Sequence, residues 1–267
     1  MSLYVLSTGS TIEYDDSLVL APDAVTEQIA EQAVLALKEK TYAEKPPHIL
    51  ELGIGTGAFC KYILDCSGVV LDVTGVDNDP NALQTAFKNL YGHERLGNLC
   101  LVDTDWNSDA ALESQPYDCI YFNPPYLPVG ANLRPAFADA PPSAVYSQDP
   151  YDSFATLLPK LVKSLNVGGI ALIRYPGNGA LTFAGDDAKS DHNPWVSLDV
   201  LDRTFNRLID RSEWLRSVMP ADTRSFMWRS WVNDRRINAE IFTRIGESID
   251  NAPKIIRDMD AYWSAYE

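Results

Sequence analysis

The chain has 267 residues, 46% of them hydrophobic, and its 22 basic and 37 acidic side chains give a formal net charge of −15. This length and apolar content suit one large α/β domain with a full core and exclude global disorder, while no run approaches the ~18 apolar residues of a membrane helix. The acidic balance disfavours long DNA or RNA as a substrate, because phosphate binding calls for a basic face and only short basic clusters such as Arg235-Arg236 occur.

The first residues lack a basic segment followed by an apolar one, so no secretory signal is expected. Cys60, Cys66, Cys100 and Cys119 show no C-x-x-C spacing, which predicts a cytoplasmic, reduced protein without a structural metal. Cys100 and Cys119 lie in apolar runs and are expected as small core residues.

Residues 1–20 are mixed and predict a short hairpin or a flap. Pro22-Asp23 opens a helix, with Pro expected in the first turn. Val25, Ile29, Ala33 and Leu37 then recur at helical spacing through about Lys40. Pro46-Pro47 closes this segment, so residues 1–47 read as a helical leader or lid, followed by one domain over 48–267.

Strand and helix then alternate. Residues 48–53 read as a strand, 58–65 as a helix, 71–76 as a strand ending at Asp77, 80–90 as a helix, and 98–102 as a third strand. Residues 117–122 form the fourth strand. A Pro-rich loop over 127–150 is long enough to act as a lid or substrate loop. Residues 152–165 read as a helix, stopped by Gly168-Gly169, and 170–174 as a fifth strand. A Gly- and Asp-rich loop covers 176–195. Residues 198–219 read as a helix, 224–232 and 237–245 as an antiparallel hairpin, and 252–266 as a closing helix. The pattern predicts a seven-stranded, doubly wound, mostly parallel sheet with a C-terminal antiparallel hairpin.

In such sheets ligands bind at the carboxyl ends of the strands, and the polar residues singled out fall there. Glu51-Leu52-Gly53-Ile54-Gly55-Thr56-Gly57 lets backbone approach a ligand closely, because glycine has no Cβ. It is not a phosphate loop, since no Lys-Ser or Lys-Thr follows. It fits a dinucleotide turn poorly, because its spacing is G-x-G-x-G. An S-adenosylmethionine loop and a plain strand-to-helix turn remain. Asp77, 20 residues after Gly57, can accept hydrogen bonds from both hydroxyls of a ribose. Asn78 sits beside it at the adenine edge. Asp105 can accept from an adenine amino group with Trp106 alongside, and Asp103 is the less favoured choice.

The fourth strand stops at Asn123-Pro124-Pro125-Tyr126. Two prolines end sheet pairing and stiffen the backbone, which leaves a rigid corner carrying the Asn123 side-chain oxygen, main-chain carbonyls and a flat ring. Such a corner can hold an NH₂ group by its hydrogens and stack on its face.

Taken in order, these motifs resemble the class I S-adenosylmethionine-dependent methyltransferases, and more narrowly the Asn-Pro-Pro-Tyr amino-methyltransferases, which include HemK-type release factor glutamine methyltransferases and N6-adenine methyltransferases. The resemblance covers residues 48–175. It implies S-adenosylmethionine as cofactor, held by Glu51, Gly53, Gly55, Gly57, Asp77, Asn78, Asp105 and Trp106. It implies that Asn123 and the Pro124 carbonyl accept hydrogen bonds from the target nitrogen while Tyr126 packs on the target group. His48, His93 and His192 receive no role. HemK-type enzymes carry a longer helical N-terminal domain, and their Gly-x-Asp-Gly element has only Ser147-Gln148-Asp149-Pro150 as its nearest match here. The leader, the 127–150 loop and the tail are therefore the expected substrate-specific parts. Tyr146, Tyr151 and Tyr175 are candidates for the substrate pocket, with Tyr4 and Tyr14 as weaker ones.

The sequence thus predicts an N-methyltransferase acting on an amide or amino nitrogen of a small molecule or a protein side chain. Two alternatives keep the cofactor: an N6-adenine methyltransferase acting on nucleic acid, and an enzyme that cyclises S-adenosylmethionine to azetidine-2-carboxylate and releases methylthioadenosine. A cofactor-binding scaffold is the non-enzymatic alternative. No membrane partner is expected, and the oligomeric state is left open.

Overall fold

The chain opens with an antiparallel hairpin of β1 (Ser2–Val5) and β2 (Thr11–Tyr14), turned at Gly9 with φ +89°. In the computed structural model, residues 1–38, 45–106, 108, 112, 116–125, 127–128, 141–147, 164–176, 215–217 and 226–232 are described. Helix α1 (Ala24–Lys38) follows the hairpin and buries Val25, Ile29, Ala30, Ala33, Val34 and Leu37 on one face. Its start is set by Asp23, whose Oδ1 accepts from the Thr26 main-chain N–H at 2.9 Å and from the Thr26 hydroxyl at 2.9 Å. This is a side-chain cap on a first-turn donor that also reaches the Asp23 carbonyl at 3.1 Å. Pro22 therefore precedes the helix instead of occupying its first turn.

Next come β3 (His48–Leu52), α2 (Ala58–Cys66), β4 (Leu71–Asp77), α3 (Pro80–Leu90), β5 (Leu96–Asp103) and β6 (Tyr117–Phe122). Asp79 caps α3 by accepting from the Asn81 N–H, with Pro80 in the first turn. Short segments β7 (Leu127–Pro128) and β8 (Tyr146–Ser147) pair in parallel, and one helical turn, Pro142–Val145, leads into β8. Strand β9 (Leu165–Pro176) is followed by β10 (Leu215–Ser217) and β11 (Phe226–Val232).

Among the described residues, seven strands form one sheet in the order β10-β11-β9-β6-β3-β4-β5. The run from β9 to β5 is parallel, and β11 lies antiparallel to both β9 and β10. Ile49, Val73, Cys119, Tyr121, Ile170 and Leu172 share a core with α1 and α2. Leu50, Leu52, Ile120, Phe122 and Ala171, which alternate with them, are also buried. Burial on both faces explains the near-continuous apolar runs of these central strands. None of the described helices is long and apolar enough to cross a membrane.

Four expectations are corrected. Leu215–Ser217, expected inside a helix, is strand β10, which pairs antiparallel with β11; residues 237–245 and the closing helix lie outside the described residues. Leu165, expected to end a helix, begins β9; Tyr117 pairs with Leu165 but Cys119 pairs with Ile170, so the intervening residues form a bulge. Gly169 is needed in that bulge, because a Cβ there would lie 2.8 Å from the Asn166 carbonyl oxygen and 2.9 Å from that of Tyr117. Cys100 is exposed, unlike buried Cys119, because β5 is the edge strand of the sheet.

Candidate cofactor and acceptor site

The direction of strand order reverses between β3 and β6. From β3 the chain builds outward through β4 and β5, then returns to place β6 on the other side of β3. Leu52 pairs with Phe122, so the residues that follow them, Gly53 and Asn123, leave the sheet side by side. A Cβ on Gly53 would lie 4.0 Å from the Asn123 carbonyl oxygen. A crevice outside such a reversal is where open α/β sheets hold ligands.

A cavity of about 660 Å³ occupies this crevice. Its walls include Glu51, Gly53 and Gly55 from the first strand and turn, Asp77, Asn78 and Asp79 from the second, Asp105 and Trp106 after the third, and Asn123 and Pro125 after the fourth. The sheet thus gathers, around one space, motifs separated by more than seventy positions in sequence. None of the described lining residues is basic.

The glycine turn works through backbone shape. Gly53, Gly55 and Gly57 have φ values of +66°, +51° and +74°, a region that side chains other than glycine adopt at a cost. Gly57 is the left-handed cap of α2, and a Cβ there would press at 3.2 Å on Leu90. It supports the turn from behind and is not among the residues lining the cavity.

Asp77 holds this turn in place. Its Oδ2 accepts from the Gly55 N–H at 3.0 Å and its Oδ1 from the Asp79 N–H at 3.1 Å. Each carboxylate oxygen keeps a further lone-pair direction for another donor. Burial raises its pKa above the usual carboxylate value, against the lowering effect of these N–H groups, and nearby Asp79 adds to the rise.

Glu51 is only 3% exposed. It lies across from Gly75 on one side and Tyr121 on the other. It accepts from the main-chain N–H and the thiol of Cys60, yet burial, with a smaller contribution from Asp77, pushes its pKa up to about 8. Its Oε2 is buried with no hydrogen-bond partner among the described residues. The Asn123 Oδ1 is likewise buried and unpartnered. Both residues line the cavity, and a buried oxygen without a partner among the described residues costs free energy.

Aromatic rings brace both ends. The Phe59 and Tyr121 rings stack at 4.0 Å, and Trp106 meets Phe122 at 4.7 Å with the planes tilted by 46°. Trp106 thereby belongs at once to the cavity wall and to the strand that delivers Asn123.

Other expected residues fall elsewhere. Asp103 pairs in register with Asp77, is exposed, and is not among the lining residues. Pro124 is half-buried and also not among them. Tyr126 and Tyr151 lie outside the described residues; Tyr146 and Tyr175 are placed in β8 and β9 by backbone alone. Tyr4 and Tyr14 do not face the cavity, since they pack with Tyr62 against Leu6, Ile12 and Ala58. His48 bonds to Thr74 at 2.8 Å and lies against Tyr117, and His93 bonds to Asp65 at 3.0 Å, both away from the cavity. His192 lies outside the described residues.

Within residues 1–47, expected as a leader or lid, one stretch that the sequence did not single out forms a wall of the cavity. Leu18, Val19, Leu20, Ala21, Pro22 and Thr26 close the cavity from the N-terminal side. Only the Pro22-Asp23 helix start hinted at a fixed position for this segment.

The chain matches no protein-family model. It is 38% identical over 111 residues to the release factor glutamine methyltransferase of Salmonella typhimurium, covering 42% of this chain and 36% of that protein. It is 32% identical over 174 residues to the release factor glutamine methyltransferase of Deinococcus radiodurans, covering 64% of this chain and 59% of that protein. The matched region therefore spans between about a third and three fifths of the relatives' own lengths. A solved structure from Clostridium thermocellum, provisionally described as an rRNA methylase, shares the fold with a TM-score of 0.50 at 14% identity, over 76% of this chain and 95% of that one. These relatives bear out the resemblance to the HemK-type group, and that structure bears out the Rossmann-like methyltransferase sheet.

Proposed function

We propose that this chain is an S-adenosylmethionine-dependent N-methyltransferase that acts on an amide or amino nitrogen of a protein side chain or a small molecule. The observation that carries this reading is the buried Oδ1 of Asn123, without a partner among the described residues and held at the strand-order reversal beside the glycine turn.

The cavity's residues fit the cofactor. The glycine turn offers backbone without side chains, the Oε2 of Glu51 lacks a donor, and Asp77 has lone pairs to spare for hydroxyl groups. The acidic lining suits a ligand that carries positive charge. Bound there, S-adenosylmethionine supplies an electrophilic methyl group.

The chain's part is orientation. An amide or aromatic amino nitrogen is a weak nucleophile because its lone pair is delocalised. Hydrogen bonds from its two N–H groups to the Asn123 Oδ1 and to the Pro124 carbonyl fix the plane of the group and turn its remaining face to the cavity. Asn123 takes no proton; it stabilises the positive charge that develops on the N–H groups as the nitrogen reacts, and the methylated nitrogen then releases one proton to solvent. The two prolines hold this acceptor pair rigid, so little ordering cost falls on the bound state. Tyr126 follows in sequence as the ring to pack against the group.

The release factor glutamine methyltransferases named among the relatives make a protein glutamine the first acceptor to test. The net charge of −15 and the absence of described basic lining residues speak against a nucleic-acid acceptor. The test is to incubate the protein with S-adenosylmethionine, with and without a release-factor peptide containing glutamine, and to follow products by mass spectrometry. S-adenosylhomocysteine formed only with the acceptor, and a methyl group gained on the acceptor's side-chain nitrogen, is the expected result. Methylthioadenosine formed without any acceptor, or no binding of S-adenosylmethionine, overturns the proposal.

A further inference from the structure

The cavity has two walls of different origin. One is the glycine turn on β3; the other is residues 18–22, which join the N-terminal hairpin to α1. Val19 of the second wall is 3% exposed, and its Cγ1 lies 3.8 Å from where a Cβ on Gly55 would be. The two walls therefore approach closely enough that a single Cβ on Gly55 would span the gap, and what sets their spacing also sets the shape of the cavity.

One side chain bridges them. Asn89, half-buried on α3, donates from Nδ2 to the Glu13 carbonyl at 3.0 Å and to the Thr56 carbonyl at 2.9 Å. Its Oδ1 accepts from the Glu13 N–H at 3.0 Å. Glu13 belongs to β2, and Thr56 belongs to the glycine turn. A carboxamide has both the donors and the acceptor that these three bonds require; a carboxylate lacks the donors. The next residue, Leu90, lies beneath Gly57, where a Cβ would meet it at 3.2 Å. Helix α3 thus grips the turn and the hairpin through adjacent positions.

The hairpin has other anchors, and those to α1 and α2 come from β1 and its turn. Tyr4 and Ser7 donate to Glu27, and Thr8 donates to Asp65 at 2.8 Å. These hold β1 and the Gly9 turn against α1 and α2. The Asn89 bonds act on β2, immediately before the cavity wall.

We propose that Asn89 is a positioning residue for the cofactor cavity: by tying β2 to the Thr56 carbonyl it holds residues 18–22 at a fixed distance from the glycine turn. The part concerning affinity rests on the cofactor reading above; the part concerning the wall does not.

The test compares the full chain with Asn89→Ala and Thr8→Val, the second removing an anchor at the far end of the hairpin. Two quantities are read for each: amide hydrogen exchange of the free protein, and the calorimetric Kd for S-adenosylmethionine. In Asn89→Ala, exchange over residues 13–22 is expected to rise about tenfold or more while β3 and α1 stay protected, and Kd is expected to weaken about tenfold. Thr8→Val lowers Tm without changing Kd. Asn89→Asp, which keeps only the acceptor, behaves like the Ala variant, and Asn89→Ser carries the test if Asn89→Ala does not fold. Unchanged exchange over residues 13–22 in Asn89→Ala refutes the proposal, and so does raised exchange with an unchanged Kd. If the unsubstituted protein does not bind S-adenosylmethionine, the cofactor reading falls, and the exchange measurement alone decides whether Asn89 holds the wall.

Discussion

Glu51→Gln isolates a charge that the fold does not accommodate. Glu51 is buried on β3, faced by Cys60 on α2, Tyr121 on β6 and Asp77 at the end of β4. Its pKa rises from an ordinary 4.5 to about 8, chiefly because burial penalises the carboxylate. The folded state therefore keeps a proton that the unfolded chain gives up. Below about pH 4.5 both states are protonated and the full benefit of the neutral acid is present. Between about pH 4.5 and pH 8 stability falls as pH rises, because unfolding releases a proton. Above pH 8 both states are ionised and the loss is complete. At about 1.4 kcal/mol per pH unit, the span amounts to about 4–5 kcal/mol. Glutamine has nearly the same shape, keeps an acceptor for Cys60, and cannot ionise. Urea unfolding of both proteins without ligand, from about pH 5 to about pH 8, should show Glu51→Gln gaining on the native chain throughout the range, by several kcal/mol at the alkaline end. Asp77, also raised, is common to both proteins and cancels in the comparison. A difference between the two proteins that stays constant with pH would refute the argument.

Three further outcomes follow from the same geometry. Asn123→Ala should abolish turnover while leaving calorimetric S-adenosylmethionine affinity within about fivefold, because the acceptor site and the cofactor turn are separate elements; a collapse of affinity would place Asn123 in the cofactor site. Asp77→Asn should weaken cofactor binding by about tenfold or more by the same assay, since it loses an acceptor oxygen that orders Gly55 or Asp79 as well as one offered to ligand; unchanged affinity would remove Asp77 from the site. Gly75→Ala should lower stability by about 1–3 kcal/mol in urea, because its Cβ would sit 2.2 Å from Ile54 Cδ1 and 2.9 Å from Leu101 Cδ2; a neutral effect would show that Ile54 can move aside.

Central strands were legible in the sequence for a physical reason. Residues 48–52, 71–77 and 117–122 are buried on both faces, so each is a compact apolar run that stops where a polar residue must leave the sheet. The site residues Glu51, Asp77 and Asn123 are those stopping points or lie one step inside them. Edge positions carried no such signal. The apolar run around Cys100 looks like core, but among the described residues β5 is the last strand of the sheet. Gly168-Gly169 looked like a break and is a bulge within one strand, because only the register against β6 distinguishes the two. The wall at residues 18–22 was hidden for a third reason: its place depends on Asn89 and Val19 meeting a turn more than thirty residues away in sequence, and local propensity does not report such contacts.

Charge explains why the cavity separates binding from reaction. Glu51, Asp77, Asp79 and Asp105 all line it, and the carboxylates disfavour one another's ionisation, Asp79 acting on Asp77 and Asp77 on Glu51. A ligand with positive charge relieves that repulsion, so affinity resides on the side of the glycine turn. The Asn123 corner, by contrast, offers a neutral amide oxygen on a proline-stiffened backbone. A carboxylate there would hold a cationic amine firmly and accept its proton; an amide oxygen orients a neutral NH₂ without fixing a charge on it. Under the proposed function, the acids near the ends of β3, β4 and β5 serve binding, and the uncharged acceptor after β6 serves to orient a neutral nitrogen.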